Sequence, residues 1–202
     1  MTDIDRVLQF WLEPKPQTPE AIAAKGALWF GGTAEQDRQI RVQFGHLVEQ
    51  ARNGELTAWA ATPRGRLALI ILIDQFSRNV YRGNPQSYSA DARALELAIE
   101  GYDTGAFTHL DSLEQIFAYL PFSHAEDLAM QKRAVDLAQR AALSAPDVWR
   151  DMLFSAVDYA RKHLDVIARF GRFPHRNIVL GRVNTAEESA YLDYLRVANQ
   201  WL

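Results

Sequence analysis

The chain has 202 residues, of which 48% are hydrophobic and 23% are charged, and its formal net charge at pH 7 is −3. This length and apolar fraction suit a globular protein with one sizeable core and exclude a disordered chain. The slightly negative charge gives no reason to expect a nucleic acid as partner, and the lack of cysteine excludes disulfides, thiolate chemistry and cysteine-ligated zinc.

The N-terminal residues and the hydropathy pattern predict a soluble, cytoplasmic protein. The first ten residues include Asp3, Asp5 and Arg6, which do not suit a signal peptide. Apolar runs along the chain stay well short of the about 20 residues that a membrane-spanning helix needs. We therefore expect no membrane partner.

Helix-start and helix-stop signals recur along the whole chain. Capping patterns begin at Thr33, Asp111, Ser123 and Thr185. Gly101 and Pro121 are each expected to end a helix. In chain order the signals predict helices over about residues 3–12, 19–30, 34–53, 55–60, 67–82, 88–100, 111–120, 123–143, 146–170 and 185–201.

The fold class that follows is all-α. No stretch shows the strict alternation of a half-buried strand, and no repeat of 30 to 45 residues is visible. Short connections favour antiparallel packing of neighbouring helices. We predict a single multi-helical domain over residues 1–202, with about nine or ten helices packed as antiparallel hairpins.

The helix over residues 67–82 differs from the others because its character changes along its length. From Leu67 to Ile73 every residue is apolar, which is typical of a helix buried on all sides. In its second half, five polar residues fall within an arc of roughly 140° at about 100° per residue: Asp74, Gln75, Arg78, Asn79 and Arg82. This polar arc is either a structural network between helices or the floor of a ligand pocket.

The segment RFGRFPHRN, residues 169–177, concentrates basic side chains in a turn stiffened by glycine and proline. The basic residues are Arg169, Arg172, His175 and Arg176, with Arg182 soon after. Such positive charge requires neutralisation, either by nearby acids or by a bound carboxylate or phosphate. If this turn and the polar arc share one cavity, up to six arginines converge there.

Histidine chemistry is a further alternative, with His124 or His175 as general base and Asp74 orienting it. His124 and Glu126 have an H-x-E spacing, but a first helical turn would not put both on one face. We predict no metal site, since basic surroundings disfavour a dication. The sequence contains no nucleotide-binding glycine loop and no nucleophile-elbow or zinc-protease motif, and we predict no cofactor.

Three long motifs resemble a known family: LALIILIDQFSRNVYRGNPQSY, YLPFSHAEDLAMQ, and the segment from His163 through RFGRFPHRN to LGR and the T-x-E-E pattern. They are similar to the uncharacterised bacterial family DUF924 over nearly the whole chain. The resemblance implies an all-helical fold of the tetratricopeptide-like superfamily and brings no established reaction. Its motif residues fall here on Asp74, Gln75, Arg78, Asn79, Arg82, His124, Glu126, His163, Arg169, Arg172, His175, Arg176, Asn177 and Arg182.

Three functions remain open from the sequence. The first is binding of a small anionic molecule in an arginine-rich pocket, whose expected residues are Gln75, Arg78, Asn79, Arg82, His163, Arg169, Arg172, His175, Arg176, Asn177 and Arg182. The second is a protein-interaction scaffold whose partner the sequence does not identify. The third is a hydrolase in which a histidine and Asp74 form the catalytic pair.

Overall fold

The structure, a computed structural model, describes residues 1–198, and no β-strand occurs among them. The α-helices are, in chain order, α1 (Asp3–Leu12), α2 (Pro19–Phe30), α3 (Ala34–Arg52), α4 (Pro63–Ile70), α5 (Ser77–Val80), α6 (Asp91–Asp103), α7 (Ser112–His124), α8 (Leu128–Leu143), α9 (Asp147–Phe170), α10 (Asn177–Leu180) and α11 (Ala186–Ala198). A π-helical turn joins α4 to α5 at Ile71–Phe76, and short 3-10 turns lie at Thr57–Ala61, Pro85–Ser87, Ala106–His109 and Pro174–Arg176. The prediction of an all-α fold is confirmed.

The predicted central helix runs through α4, the π-helical turn and α5 without a break. Its apolar half is buried completely: no residue from Leu67 to Ile73 is more than 3% exposed. Helices α1, α3, α6 and α7 contact it from different sides, which explains why no face of this segment is polar. None of the described helices combines the length and the apolar composition that crossing a membrane requires.

Aromatic side chains fill the core next to the central helix. The ring of Phe76 lies 5.2 Å from Trp11 of α1 and 5.1 Å from Phe44 of α3, and Trp11 lies 5.9 Å from Phe117 of α7. These tilted and edge-on contacts are the preferred geometry of aromatic pairs. They pack α1, α3 and α7 around the central helix and so fix where its polar half emerges.

Helices α7, α8 and α9 form two consecutive hairpins with extensive mutual contacts. Residues 125–127 connect the first pair and residues 144–146 the second, and connections this short bring neighbouring helices together antiparallel. A smaller core cluster of Val166, Ile167 and Phe173 then anchors the turn that follows α9. The predicted last helix was expected to reach about residue 201; residues 199–202 lie outside the described part of the chain.

The prediction that Gly101 ends a helix is wrong. Helix α6 continues through Gly101 to Asp103, and the residue with positive φ beyond its end is Gly105 (71°). A Cβ on Gly101 would lie 2.2 Å from the ring of Phe107. Gly101 therefore serves close packing of that ring, and its backbone is ordinary helix.

The helix boundary near Pro121 was also predicted wrongly. Pro121 lies inside α7, which continues to His124, and α8 begins only at Leu128 with Asp127 as its cap. Ser123 is consequently buried in α7 instead of capping α8. Packing of α7 against α6, α8 and α9 offsets the backbone hydrogen bond that proline removes. The longer helix places His124 at its C-terminal end.

Candidate functional site

A cavity of about 300 Å³ lies where the polar half of the central helix faces α9 and the turn after it. It is lined by Trp29, Phe30, Gly32, Gln75, Arg78, Asn79, Arg82, Gly83, Ser87, Tyr88, Leu120, His124, Tyr159, His163, His175 and Arg176. The polar arc of the central helix and the basic turn at residues 169–177 therefore both contribute to this cavity. Seven of the predicted ligand-binding residues line this cavity, together with His124.

The π-helical turn positions the acidic group beneath the cavity. Such turns insert one extra residue into a helix and often occur at functional sites. Here the turn contains Asp74 and Gln75, which are both buried. Gln75 donates from Nε2 to Oδ2 of Asp74 at 2.5 Å, and Arg78 one turn later donates to the Asp74 backbone carbonyl. The predicted i, i+4 pairing of Asp74 and Arg78 is present, with 3.3 Å between Nη1 and Oδ1.

His124 and Asp74 form a direct pair, with 2.7 Å between Nδ1 and Oδ1. Burial opposes ionisation of Asp74, but the nearby charges of protonated His124 and of Arg78 outweigh it and lower the pKa of the carboxyl group. Burial, followed by Arg78, lowers the pKa of His124. An ionised carboxylate only accepts hydrogen bonds, so Nδ1 carries the proton and Nε2 of the neutral ring is left as the basic nitrogen.

Arg78 and Arg176 share one carboxylate. Arg78 binds Asp91 with two hydrogen bonds, Nη1 to Oδ1 at 3.1 Å and Nη2 to Oδ2 at 3.0 Å. Arg176 reaches the same Oδ2 only at 3.4 Å, and its Nε is buried without a partner. Arg176 is 6% exposed and lies against the rings of Phe173 (4.4 Å) and Tyr88 (4.8 Å). Its guanidinium is thus a buried cation with incomplete compensation.

Two further histidines line the cavity in neutral form. Burial lowers the pKa of His163 to about 3 and that of His175 to about 4, with Arg176 adding to both shifts. His163 is held by a hydrogen bond from Nδ1 to the Tyr159 backbone carbonyl at 3.0 Å. His175 has no such partner, because its Nδ1 is buried and unpaired.

Arg82 and Asn79 line the cavity but are engaged with α3. Arg82 binds Asp37 through Nε (2.6 Å) and Nη2 (2.9 Å), and Asn79 donates to the same carboxylate at 2.9 Å. A Cβ on Gly32 would lie 2.7 Å from this guanidinium, so the rim of the cavity is closely packed here. For these two side chains the structural-network interpretation of the polar arc fits their contacts.

Four predicted ligand-binding residues lie outside the cavity lining: Arg169, Arg172, Asn177 and Arg182. Arg169 pairs with Glu187 at 2.8 Å, and Arg182 binds Glu126 through both terminal nitrogens. Arg172 and Asn177 both bind Glu188, a side chain only 2% exposed. Acids supplied by α11 and by the connection after α7 therefore neutralise this part of the basic segment. Three arginines line the cavity, where up to six could have converged.

The sequence analysis missed several residues of the site. Tyr88 and Tyr159 line the cavity, and Asp37 and Asp91 supply the counter-charges. Tyr159 precedes His163 by four positions on α9, a spacing that puts both on one face and could have identified it. The sequence carries no local signal that Asp37 or Asp91 would reach the central helix, since each belongs to a different helix.

The residues present do not form a metal centre. Within residues 1–198, no group of three His, Asp or Glu side chains comes together in a way that could hold a metal ion. Counting formal charges around the cavity gives three arginines, Arg78, Arg82 and Arg176, against three aspartates that contact them, Asp37, Asp74 and Asp91. The histidines that line it have lowered pKa values and add no charge near neutral pH.

Comparison with known proteins identifies relatives over nearly the full length. A family model described as "Bacterial protein of unknown function (DUF924)" matches residues 7–195. A solved structure of a protein of unknown function from Agrobacterium tumefaciens is 35% identical in sequence, with a TM-score of 0.78. That match covers 95% of this chain and 97% of the other. No curated protein matches the chain.

Proposed function

The chain belongs to the DUF924 family of bacterial proteins of unknown function, and we propose that it binds a small molecule through one anionic group in the cavity beside Arg176. A single observation carries this proposal: His175 and Arg176, adjacent residues of one turn that both line this cavity, each have a buried nitrogen without a hydrogen-bond partner. Buried polar groups are nearly always paired, so two unpaired nitrogens in neighbouring residues that line a cavity favour a ligand as their partner.

The chemistry of the two arginines favours a carboxylate as that partner. Arg78 is already matched by Asp74 and by two hydrogen bonds to Asp91. Arg176 has only the longer contact to an Asp91 oxygen that Arg78 also uses. One incompletely matched guanidinium suits one negative charge, and a planar carboxylate suits its fork geometry. A phosphate, which brings more charge, is the comparison ligand.

The test is a thermal-shift and calorimetric titration with sodium acetate, sodium phosphate and sodium chloride at equal ionic strength. Acetate should raise Tm more than chloride does, by the amount that mass action gives for its Kd. Arg176→Lys, which keeps the charge but not the fork, should weaken acetate binding. Arg172→Lys is the matched control, because Arg172 belongs to the same turn but pairs with Glu188 outside the cavity.

Two results would contradict the proposal. One is an identical response of the wild type to acetate and to chloride. The other is equal weakening by Arg176→Lys and Arg172→Lys, since binding would then depend on charge in the turn and not on the cavity.

The pair of His124 and Asp74 favours a second candidate function, hydrolysis of an ester whose molecule also carries a free carboxylate. In the first step, His124 Nε2 takes a proton from water as the water oxygen bonds to the ester carbonyl carbon, and the C=O π electrons move to the carbonyl oxygen. In the second step, the oxyanion pair re-forms the C=O bond as the ester C–O bond breaks, and the leaving oxygen takes the proton from His124. His124 is favoured over His175 as the base because Asp74 orients it, whereas His175 Nδ1 has no partner.

Aryl monoesters of dicarboxylic acids test this second candidate, since they carry one carboxylate for Arg176 and one ester carbon for attack. The wild type should release the aryl alcohol faster than buffer does, and His124→Gln should slow release by about 10²–10⁴-fold. The control His109→Gln alters a histidine that does not line the cavity. Equal rates in wild type and His124→Gln would refute the catalytic role and leave the binding proposal intact.

A further inference from the structure

A second cavity, of about 700 Å³, lies between α2, α7 and α9, and its walls are mostly apolar. Ile22, Ile116, Val148 and Met152 supply much of its surface. A volume of this size lies within the range of sites for small organic ligands, which are lined mainly by hydrophobic side chains. The residues that form this apolar cavity take no part in the site described above, apart from three that the two cavities share.

The shared residues are Phe30, Leu120 and Tyr159, each of which lines both cavities. The two cavities are therefore adjacent. Phe30, the last residue of α2, is 60% exposed, and Tyr159 lies with its ring 4.3 Å from the ring of His163. These three shared side chains form the boundary between the cavities. Arginine and histidine nitrogens lie on one side of it, and hydrocarbon lies on the other.

Helix α2 covers this apolar cavity without filling it. Of its residues only Trp29 is buried, and that side chain is held by a hydrogen bond from Nε1 to the Trp11 backbone carbonyl at 2.9 Å. Gly26 lines the cavity, and a Cβ placed on it would meet no atom within 4 Å. Gly26 therefore leaves space in the wall of the cavity that a larger side chain could occupy.

From this arrangement we infer that the ligand is amphipathic: a medium-chain alkyl carboxylate whose head group contacts Arg176 and whose chain lies in the apolar cavity. The head-group half of this inference rests on the proposed function. The placement of the alkyl chain rests on the apolar walls of the second cavity, on its volume and on the three shared residues. Each methylene buried in such a cavity should strengthen binding about fourfold.

The experiment is isothermal titration calorimetry of the full chain with the sodium salts of acetic, butanoic, hexanoic, octanoic and decanoic acids, below their critical micelle concentrations. The test variant is Gly26→Phe, which fills the apolar cavity, and the control is Gly26→Ala, which does not. Both should fold, because the site is open and glycine inside a helix is unfavourable. Arg176→Lys in parallel reports on the head group.

We expect affinity to rise with chain length in the wild type and in Gly26→Ala, and to stop rising in Gly26→Phe while acetate binding persists. Equal affinity for acetate and decanoate would overturn this inference and leave the proposed function standing. A chain-length dependence that Gly26→Phe does not change would also overturn it. The alkyl chain would then lie outside the apolar cavity, for example on a surface that binds peptides. Absence of binding by all five acids would overturn the proposed function itself.

Discussion

Nδ1 of His124 lies 2.7 Å from Oδ1 of Asp74, a residue fifty positions earlier in the chain. Two local features make this pair possible. The π-helical turn holds Asp74 in the floor of the cavity, and α7 continues past Pro121 far enough to end at His124. Asp74 is completely buried and also contacts Arg78, so the pair belongs to a network that the fold depends on.

Asp74→Asn should destabilise the protein strongly. The substitution keeps the shape but removes the buried charge opposite Arg78 and His124, and breaking a buried ion pair costs about 3–5 kcal/mol. Urea denaturation followed by circular dichroism measures the change. Asp158→Asn is the control, because the exposed pair of Asp158 with Arg161 should contribute no more than about 1 kcal/mol. Similar losses in the two variants would contradict this assignment.

Stability should fall as the pH drops below neutrality. The pKa of His163 is about 3 and that of His175 about 4 in the folded chain, against about 6.5 for an unfolded histidine. Between these values the unfolded state binds more protons, so stability decreases as pH falls, by up to about 1.4 kcal/mol per pH unit for each histidine. The measurement is the free energy of unfolding from pH 7 to 4.5.

The matched variants for this pH dependence are His163→Gln, at the buried position, and His46→Gln, at an exposed one. His163→Gln should reduce the slope of stability against pH, and His46→Gln should not. The histidine resonances followed by NMR give the pKa values directly. A pKa for His163 above 6 would contradict the expectation.

Gly101→Ala should be destabilising although alanine is the better helix former. The added Cβ would overlap the Phe107 ring at 2.2 Å, and overpacking of a core costs about 1–3 kcal/mol. Gly26→Ala, in the middle of α2 with open space around it, should instead stabilise by about 0.5–1 kcal/mol. Thermal denaturation of both variants tests the pair. A rise in Tm for both variants would show that helix propensity, and not packing, decides at Gly101.

Arg172→Ala and Arg169→Ala should differ in stability but agree in ligand binding. Arg172 compensates Glu188, whose side chain is 2% exposed, whereas Arg169 and Glu187 are both more than half exposed. Losing the first arginine should destabilise the fold more than losing the second, because it leaves the Glu188 carboxylate without its bidentate partner, whereas an exposed ion pair contributes little. Calorimetry with acetate should give unchanged affinity in both. Weakened acetate binding in Arg172→Ala would show that Arg172 belongs to the binding site.

Acetate binding should be accompanied by proton uptake. Burial is the main cause of the low pKa of His175, and Arg176 adds to it; an anion beside the same ring raises that pKa. The bound state then holds more protons than the free state, so affinity rises as pH falls from 7 towards 5. Calorimetry in buffers of different ionisation enthalpy measures the protons taken up. An affinity that is constant over this range would contradict the placement of the anion next to His175.

Local sequence signals predicted the fold well where the signal itself determines the backbone. Prolines at first-turn positions begin α2 and α4, and Thr185 with Glu188 caps α11 in both directions. The failures at Gly101 and Pro121 share a cause, since tertiary packing decided the outcome at both. A ring packed against a glycine and a proline tolerated within a buried helix leave no local trace in the sequence.

The candidate site was predicted in part for the same reason. Periodicity placed Gln75 and Arg78 on one face, and the constrained turn brought His175 and Arg176 towards them. Charge compensation could not be predicted, because Glu188, Glu126 and Asp91 come from elements distant in the sequence. The difference between a structural arginine and one available to a ligand lies in those distant acids.

The single carboxylate of Asp91, between Arg78 and Arg176, has a consequence for any anion that enters the cavity. That anion competes with the Asp91 carboxylate for the two guanidinium groups. Its affinity therefore reflects the exchange of one partner for another and not binding to unpaired cations. Asp91→Asn removes the competitor and leaves two guanidiniums with less compensation. On the proposed function, such a variant should have a less stable fold and bind the anion more tightly, so Asp91 would control how readily the anion leaves the cavity.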